Sequence, residues 1–344
     1  MSREIPHFHQ WMDTDAPDYT VVIPSYARPQ KICEYTLAFL HRQGIPMNRV
    51  HVYINPASCS HEDPQWYQYL NQLRTFNFLN VHLKVGGDCL LSQMRRILED
   101  NIGKYIIVMS DLVSDVCWKV RLCTKGVERL ESLPTGYLSA LISHGHSLMS
   151  AGNFTAWSLG ASHDYRFMKS HNITCRLGLL DGNLTGLKVN ADFLSWKFHA
   201  GDGLIYDVAW ACHLWNHGHR FFRYAGLCAK HPYRASGGQA SLMGSGAVRR
   251  EKENDQIKQL ALQFPELVCF SPNEKYSLKR MQYRFLTHGG APLTMLDYRR
   301  GVGRPSESPS APMSGTERSR KSRNLSAARN ASASSSTRKR KRTV

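Results

Sequence analysis

Tyr19-Thr-Val-Val-Ile-Pro-Ser-Tyr-Ala-Arg-Pro29 is the stretch of sequence on which the prediction of the fold depends. It opens with a short apolar, β-branched run, which is typical of a buried strand and ends at Pro24-Ser25. A helical spacing of apolar residues follows and stops at Gly44-Ile-Pro46. The stretch therefore predicts a strand that turns sharply into a helix, which is the first half of a βαβ unit.

The same alternation of strand and helix patterns continues for another eighty residues or so. Strands are predicted at Val50–Ile54, Leu79–Val85 and Tyr105–Met109, and helices at Pro64–Leu73 and Leu90–Asn101. Strands separated by helix-length segments predict an α/β fold, with a mostly parallel central sheet and helices on both faces. Such sheets bind ligands beyond the carboxyl ends of their strands, so the residues that follow each strand are the first candidates for a site.

Composition excludes several classes of protein. The 344 residues are 42% hydrophobic and 21% charged, as in ordinary globular proteins. No apolar run reaches the roughly 18 residues that a membrane-spanning helix needs, and the first residues do not resemble a signal peptide. The nine Cys residues are scattered and include no C-x-x-C pair, which argues against a disulfide framework or a structural zinc site. We therefore expect an intracellular protein.

The distribution of charge predicts three segments: an N-terminal extension at 1–18, a catalytic-type domain at 19–299 and a tail at 300–344. The last 44 residues hold eleven Lys and Arg against two Glu, a charge of +9 out of the total of +17, which leaves +8 for the first 300 residues. This tail is rich in Ser, Pro and Ala and has almost no large apolar side chain, which predicts disorder.

The tail ends in Arg338-Lys-Arg-Lys-Arg342, a run that is typical of nuclear targeting or of contact with nucleic acid. A tail that only increases solubility is the alternative. Positive charge on both the body and the tail would attract a polyanion by releasing its condensed counterions.

The turn after the first strand supplies candidates for binding a nucleotide. Ser25 and Arg28 can donate hydrogen bonds, and Tyr26 offers a ring or a hydroxyl. An ordinary strand-to-helix turn, with a Ser cap and an early Pro, is the alternative.

A second glycine turn, Gly86-Gly87, leads into a helix that carries Arg95 and Arg96. Glycine allows a ligand to approach the backbone, and a guanidinium can clamp a diphosphate through paired hydrogen bonds. Consecutive helical residues diverge, so one arginine is expected at the ligand edge and the other in solvent. Two solvated arginines are the alternative.

Two carboxylates follow predicted elements at positions suited to chemistry. Asp111 comes just after the apolar strand that ends at Met109 and is a candidate ligand for Mn²⁺ or Mg²⁺, ions that need only one or two protein carboxylates when they bridge phosphates. Asp207 opens an apolar helix and is the candidate general base. Either residue could instead cap a loop or a helix.

A later segment, His231-Pro-Tyr-Arg-Ala-Ser-Gly-Gly238, combines a second candidate metal ligand, His231, with a flexible loop at Gly237-Gly238 that is a candidate for contact with the nucleotide sugar. The chain has sixteen His, so a single His is weak evidence.

Taken in order, these elements resemble the GT-A glycosyltransferases and, more narrowly, the TET-associated glycosyltransferases and base J glucosyltransferases. The resemblance runs from about Tyr19 to about Val268, and Val22-Ile-Pro-Ser-Tyr-Ala-Arg-Pro29 is its most specific part. It implies transfer of glucose from UDP-glucose to the hydroxymethyl group of a pyrimidine in DNA. The target base would have to be flipped out or single-stranded. Trp157 could serve as a stacking platform, but a Trp of the core or of a lid is the favoured interpretation.

The resemblance also implies roles for the candidate residues. Ser25, Tyr26 and Arg28 would contact the nucleotide, and Arg95 or Arg96 the diphosphate. Asp111 would bind the metal, and Asp207 would act as the base or orient the acceptor.

The chain departs from the family at two places: it reads Ser110-Asp-Leu112 where the family usually has three consecutive Asp, and Tyr206-Asp207 where an acidic pair is expected. Two alternatives therefore stay beside the active enzyme. One is a catalytically degenerate protein that binds nucleic acid, and the other is a GT-A enzyme with an acceptor other than DNA.

Overall fold

The first strand is buried because its side chains alternate between the two covered faces of a sheet. In the computed structural model, Val21 and Ile23 belong to one apolar cluster and Val22 to another, and all three are fully shielded from solvent. Both faces of β1 (Tyr19–Ser25) are covered, which explains why the strand is a continuous apolar run rather than an alternating one. The structure describes residues 17–55, 64–122, 127–160, 168, 173–198, 205–232, 246–273 and 280–285.

Eight strands make up the central sheet. They are β1, β2 (Val50–Ile54), β3 (His82–Val85), β4 (Tyr105–Met109), β7 (Ala156–Leu159), β8 (Ile173–Thr174), β9 (Leu184–Lys188) and β10 (Phe221–Tyr224). Their spatial order is β3-β2-β1-β4-β9-β7-β10-β8. Six of them run in one direction, while β9 and β8 pair antiparallel with their neighbours. The prediction of an α/β fold with a mostly parallel central sheet is thus confirmed.

Two smaller sheets complete the strands. The first is β11-β5-β6, built from β5 (Asp115–Leu122), β6 (Val127–Ser132) and β11 (Leu227–Lys230). The second is the antiparallel pair β12 (Val268–Asn273) and β13 (Arg280–Phe285).

Helices cover both faces of the central sheet. They are α1 (Pro29–Ile32), a π-helical turn (Cys33–Leu37), α2 (Ala38–Arg42), α3 (Pro64–Thr75), α4 (Leu90–Asp100), α5 (Tyr137–Gly152), α6 (Tyr206–Asn216) and α7 (Gly246–Gln263), with 3-10 turns at Met47–Arg49 and Ala191–Ser195. Side chains of α1, α2, α3 and α5 join the cluster of Val21, and those of α4, α6 and α7 join the cluster of Val22. Helices on both faces are therefore confirmed as well.

One predicted strand is shorter than expected. Residues 79–81 were predicted to begin β3, but the strand starts at His82. The amides of Phe78 and Val81 bond to the carbonyls of Leu73 and Phe78, and Asn77 adopts a left-handed φ of 58°. The chain thus turns tightly after α3 and cannot extend before His82.

The described residues all lie within the unit Met1–Arg304, and the tail at 300–344 and the extension at 1–16 lie outside the described residues. None of the described helices is both long enough and apolar enough to cross a membrane.

Candidate functional site

The candidate site lies where β1 and β4 end side by side. These strands pair in parallel with Val22 opposite Val108, and the same register brings Ser25 level with Asp111. The Ser25 hydroxyl donates a hydrogen bond of 2.8 Å to the Asp111 carboxylate. Adjacent parallel strands therefore join two residues that are 86 positions apart in sequence.

Arg28 forms an ion pair with Asp111. Its Nη1 lies 2.7 Å from Asp111 Oδ1, and the side chains of Arg28 and Asp111 are only 13% and 5% exposed. The turn that carries Arg28 includes Ala27 at a φ of 51°, an uncommon conformation for a residue with a Cβ. Such strain persists only where the surrounding structure holds it, and it clusters at functional sites.

Tyr69 of α3 completes this group, and sequence reasoning did not identify it. Its hydroxyl lies 2.7 Å from the Ser25 hydroxyl and accepts a hydrogen bond from the Arg28 amide at 3.2 Å. Burial raises the pKa of the Tyr69 phenol, so it stays neutral. Tyr69 has no sequence signal of its own, since it lies within an ordinary amphipathic helix pattern.

Asp111 is a buried carboxylate whose two oxygens are both engaged. Burial raises the pKa of Asp111, while the Arg28 guanidinium and the Ser25 hydroxyl oppose that rise. Oδ1 accepts from Arg28 and Oδ2 from Ser25. Removing either partner would leave a polar group desolvated and unpaired.

The glycine turn before α4 places Gln93, rather than an arginine, against this edge. Gln93 Nε2 donates to the carbonyls of Ser25 at 3.2 Å and Tyr53 at 3.4 Å. A Cβ on Gly87 would lie 2.2 Å from Ser92 Oγ, so glycine is required where the turn passes under the first turn of α4. Gln93 was missed because its role depends on the contact between this turn and the sheet.

Arg95 and Arg96 both lie on the outer surface of α4. Their side chains are 62% and 53% exposed, and both pair with Glu99, while Arg96 also pairs with Asp100. Arg95 additionally lines a cavity of about 550 Å³ between α4 and the 3-10 turn at Ala191–Ser195. The described contacts of the two guanidiniums are thus ion pairs along their own helix.

Asp207 lies at the first turn of α6, close to a second carboxylate that the sequence did not reveal. The second carboxylate is that of Asp181, which lies just before β9. The next residue, Gly182, lies close to Asp207, since a Cβ added to Gly182 would be 3.9 Å from the Asp207 Cβ. The Ser110 amide bonds to the Asn183 carbonyl at 3.1 Å, which ties this turn to the segment that carries Asp111. Asp181 and Asp207 therefore lie close to each other, and the turn that follows Asp181 adjoins the segment that precedes Asp111.

The two carboxylates are perturbed in the same direction. Burial raises the pKa of Asp181 to about 7, against two hydrogen bonds from Asn183, and the charge of Asp207 adds to the rise. Burial raises the pKa of Asp207 to about 6, opposed by the bond from the Val208 amide. A carboxylate with a pKa close to neutral can accept a proton from a hydroxyl and return it within one cycle.

A cavity of about 220 Å³ opens beside Asp207. Most of its lining is apolar and comes from β1, α4, β4, β9 with the segment before it, and α6. The Asp207 carboxylate is its one acidic lining group in the described part of the chain. Pro24, Leu90, Met94, Val108, Leu187 and Trp210 are among the lining residues. The cavity can hold a small flat or apolar group with a hydroxyl directed at Asp207.

Other predicted residues have different surroundings. Tyr26 is partly exposed in the turn after β1, and His231 is partly buried just after β11. The Ser114 amide bonds to the carbonyl of Lys230, so His231 follows a strand that adjoins the Asp111 segment. Gly237 and Gly238 lie outside the described residues.

Trp157 is a core residue, so its proposed role as a stacking platform is wrong. It is fully buried, and its Nε1 donates to the Tyr105 hydroxyl at 2.7 Å. A Cβ on Gly145 or Gly186 would lie within 2.5 Å of the indole, so the ring is wedged between two glycines of α5 and β9. A base cannot reach a ring that is enclosed in this way.

The residues around Asp111 do not fit a metal ion in the described arrangement. A divalent ion needs free carboxylate oxygens, whereas those of Asp111 face a guanidinium and a hydroxyl. Within the described residues, no group of three or more His, Cys, Asp and Glu side chains is placed to hold a metal. The Arg28 guanidinium already balances the charge of the Asp111 carboxylate.

No protein-family model and no curated protein matches the chain. Among solved structures it is similar to a mannosyltransferase of Pyrobaculum calidifontis in complex with GDP-Man and Mn²⁺, with 14% identity, 74% of this chain and 70% of that chain covered, and a TM-score of 0.41. It is also similar to TarS of S. aureus, with 11% identity, 72% of this chain and 65% of that chain covered, and a TM-score of 0.41. A third similar structure is that of a mycobacterial protein, with 10% identity, 87% of this chain and 94% of that chain covered, and a TM-score of 0.40. These likenesses are too weak to establish a family or a reaction.

Proposed function

We propose that this protein is a glycosyltransferase that uses a nucleotide sugar and works at the edge formed by Ser25, Arg28, Asp111 and Asp207. Two features at the carboxyl ends of the parallel strands support the proposal. One is the buried ion pair of Arg28 and Asp111, and the other is the Asp207 carboxylate, whose pKa is about 6. The first group suits a diphosphate, and the second suits an acceptor hydroxyl.

The donor would lie against the turn after β1. Ser25, Tyr26 and Arg28 would contact the nucleotide, with the diphosphate held near the Arg28 guanidinium and by Arg95 or Arg96. To reach it, Arg95 would have to leave Glu99, and Arg96 would have to leave Glu99 and Asp100. This costs little because exposed ion pairs contribute about 0–1 kcal/mol each. Gly237 and Gly238 are proposed to contact the nucleotide sugar.

The chemical step follows from the two groups. The Asp207 carboxylate accepts the proton of the acceptor hydroxyl while the hydroxyl oxygen forms a bond to the anomeric carbon. The bond from that carbon to the diphosphate oxygen breaks, and its electron pair leaves with the nucleoside diphosphate. Arg28 stabilises the charge that develops there. The charge of Asp207 in turn adds to the burial that raises the pKa of the neighbouring Asp181 to about 7.

The resemblance also leads us to propose that the protein binds a divalent cation, Mn²⁺ or Mg²⁺. It would bind at Asp111 with His231 only if the carboxylate exchanged Arg28 for the metal. Such an exchange predicts that Mn²⁺ binds more tightly to an Arg28→Gln variant than to the unmodified chain.

The proposed donor is UDP-glucose and the proposed acceptor is a hydroxymethylated pyrimidine in DNA. The cavity of about 220 Å³ supports this acceptor, because its apolar walls and single carboxylate suit a flat base that carries a hydroxymethyl group. The basic body and tail would attract the DNA. Nuclear localisation belongs to the same proposal and depends on the Arg338–Arg342 run.

Calorimetric titration with UDP-glucose tests the donor site. We expect binding that is weakened strongly in Asp111→Asn, a substitution that keeps the shape of the side chain and removes its charge. Asp115→Asn is the matched control, since the Asp115 carboxylate bonds to its neighbouring amide, Val116. Titrations with Mn²⁺ and then with EDTA show whether a metal contributes. If no nucleotide sugar binds to the folded protein, the proposal fails.

A second function is favoured by one observation. Both oxygens of Asp111 are engaged within the protein, as expected if the chain kept the fold but lost the donor site and now serves to bind nucleic acid. Binding of DNA without binding of any nucleotide sugar would support this function. An acceptor other than DNA is the remaining alternative, and it predicts transfer that is insensitive to deletion of the tail.

A further inference from the structure

A large cavity opens at the other edge of the central sheet, away from Asp111. Its volume is about 950 Å³, and its lining comes from the starts of β1, β4 and β7, the end of β9 and the residues just before β10. Because β9 runs antiparallel to β4, its last residues lie at the same edge as the first residues of β4. The proposed donor and acceptor sites lie at the opposite ends of these strands.

Three exposed cations line this cavity: Lys104, Lys188 and Arg220. No carboxylate in the described part of the chain forms an ion pair with any of them. The Arg220 guanidinium bonds to the carbonyls of Trp215 and His219 and lies over the Trp215 ring, which leaves its charge unneutralised. Asp18 is the one acidic residue among the described lining residues.

Backbone hydrogen bonds fix the spacing of the three cations. The Val189 amide donates to the Lys104 carbonyl, and the Lys188 amide donates to the Thr155 carbonyl. The Thr155 amide in turn donates to the Arg220 carbonyl. The backbones of Lys104 and Lys188 therefore lie about 5 Å apart, and those of Lys188 and Arg220 about 10 Å apart, by the usual strand spacing.

Basic side chains continue along the same edge beyond the cavity. The His51 and His82 rings lie 5.0 Å apart near the starts of β2 and β3. Burial and the positive charges of His82, Lys84 and Lys104 lower the pKa of His51 to about 4. Burial, with a smaller contribution from the charge of Lys188, lowers the pKa of His146, whose ring packs on Tyr105 at the cavity. The exposed side chains of Lys84 and Lys104 thus add positive charge near the starts of these strands, whereas the His51 ring is neutral near pH 7.

We propose that this row, defined by Lys104, Lys188 and Arg220, binds the phosphate backbone of a nucleic acid. A rigid row of unneutralised cations suits regularly spaced phosphates, and its extension past the cavity suits a long polyanion better than a single phosphate group. The proposal does not depend on sugar transfer, because the row lies at the edge opposite Asp111 and Asp207.

Salt-dependent binding of a short DNA duplex to the full chain tests the proposal. The site variant is Lys104→Gln with Lys188→Gln and Arg220→Gln. The control variant is Arg74→Gln with Arg129→Gln and Lys258→Gln, which removes the same charge from other surfaces. Each lost phosphate contact reduces the magnitude of the slope of log K against log salt by about 0.9. The magnitude of the slope should therefore fall by about 2–3 in the site variant and stay unchanged in the control variant. Equal losses in both variants would overturn the proposal.

Labelling with an amine-reactive reagent gives a test that needs no variant. Saturating duplex should protect Lys104 and Lys188 from modification and leave Lys258 reactive. Unchanged labelling of Lys104 and Lys188 would contradict the proposal, however tightly the tail holds DNA. Inorganic pyrophosphate serves as the comparison, and protection by pyrophosphate equal to that by the duplex would reassign the row to small phosphorylated ligands.

Discussion

At the scale of single residues, the surroundings of three buried aspartates give their carboxyl groups different charge partners and different pKa values. Asp111 is held by Arg28 and Ser25, whereas Asp181 and Asp207 lack a described cationic partner and have pKa values raised to about 7 and about 6. A paired carboxylate binds or positions, and a carboxylate with a pKa close to neutral can move a proton. Asp207 is therefore the group on which the chemistry can be tested most directly.

Asp207→Asn should lower kcat by about 10²–10⁴ fold, because the variant keeps the shape of the side chain but cannot accept a proton. Affinity for the nucleotide sugar should stay the same, since the donor is proposed to bind at Ser25 and Arg28. Steady-state kinetics with separate calorimetry of the donor measures both. A variant with unchanged kcat would exclude Asp207 as the base.

At the scale of elements, the π-helical turn between α1 and α2 supports the site. Widening of the helix over Cys33–Leu37 lets the Thr36 hydroxyl donate to the Ser110 carbonyl at 2.9 Å, next to Asp111. Single π-helical turns are rare and frequently lie at functional sites. The turn thus links the first helix to the segment that follows β4.

Thr36→Val should lower the free energy of unfolding by about 1–3 kcal/mol, because it leaves the Ser110 carbonyl without this donor. Thr36→Ser keeps the hydroxyl and is the matched control, expected to lose less. Denaturant unfolding followed by circular dichroism measures the difference. Equal losses in the two variants would show that the methyl group, and not the hydrogen bond, matters.

The glycine turn before α4 allows a second test at this scale. Gly87→Ala places a Cβ within 2.3 Å of the Ser92 carbonyl carbon, so the first turn of α4 must move and Gln93 must shift from Ser25. Gly44→Ala has open space around it and costs only the left-handed conformation at φ 74°, about 1–2 kcal/mol. We expect Gly87→Ala to cost more in thermal unfolding and to weaken donor binding, and Gly44→Ala to leave donor binding unchanged.

At the scale of the whole molecule, the two raised carboxyl pKa values predict how stability depends on pH. Between about pH 4 and about pH 7 the folded chain keeps protons on Asp181 and Asp207 that the unfolded chain has released. Because the folded state binds more protons in this window, the free energy of unfolding falls as pH rises and levels off above it.

The double variant Asp181→Asn with Asp207→Asn should remove this part of the pH dependence. It should be more stable than the unmodified chain near neutral pH, by several kcal/mol, and similar to it near pH 4. Urea unfolding at both ends of the window measures the effect. A constant difference between the two proteins at all pH values would contradict the assigned pKa values.

The sequence by itself determined the order of the first elements and the edge of the sheet at which to look. Ser25, Arg28 and Asp111 follow strands whose apolar runs are unambiguous, and parallel strands bring their carboxyl ends together. The spacing of hydrophobic residues is a local property, so it can be read from the sequence without knowing which distant residues are in contact.

Only the tertiary structure decided which side chains meet. Tyr69, Gln93 and Asp181 join the site through contacts that span tens of residues, and Trp157 is buried because two distant glycines admit its ring. The pairing of Arg28 with Asp111, where the sequence predicted a metal ligand, likewise depends on the turn at Ala27. Register, burial and charge partners are properties of the packed chain, because each depends on residues that lie far apart in the sequence.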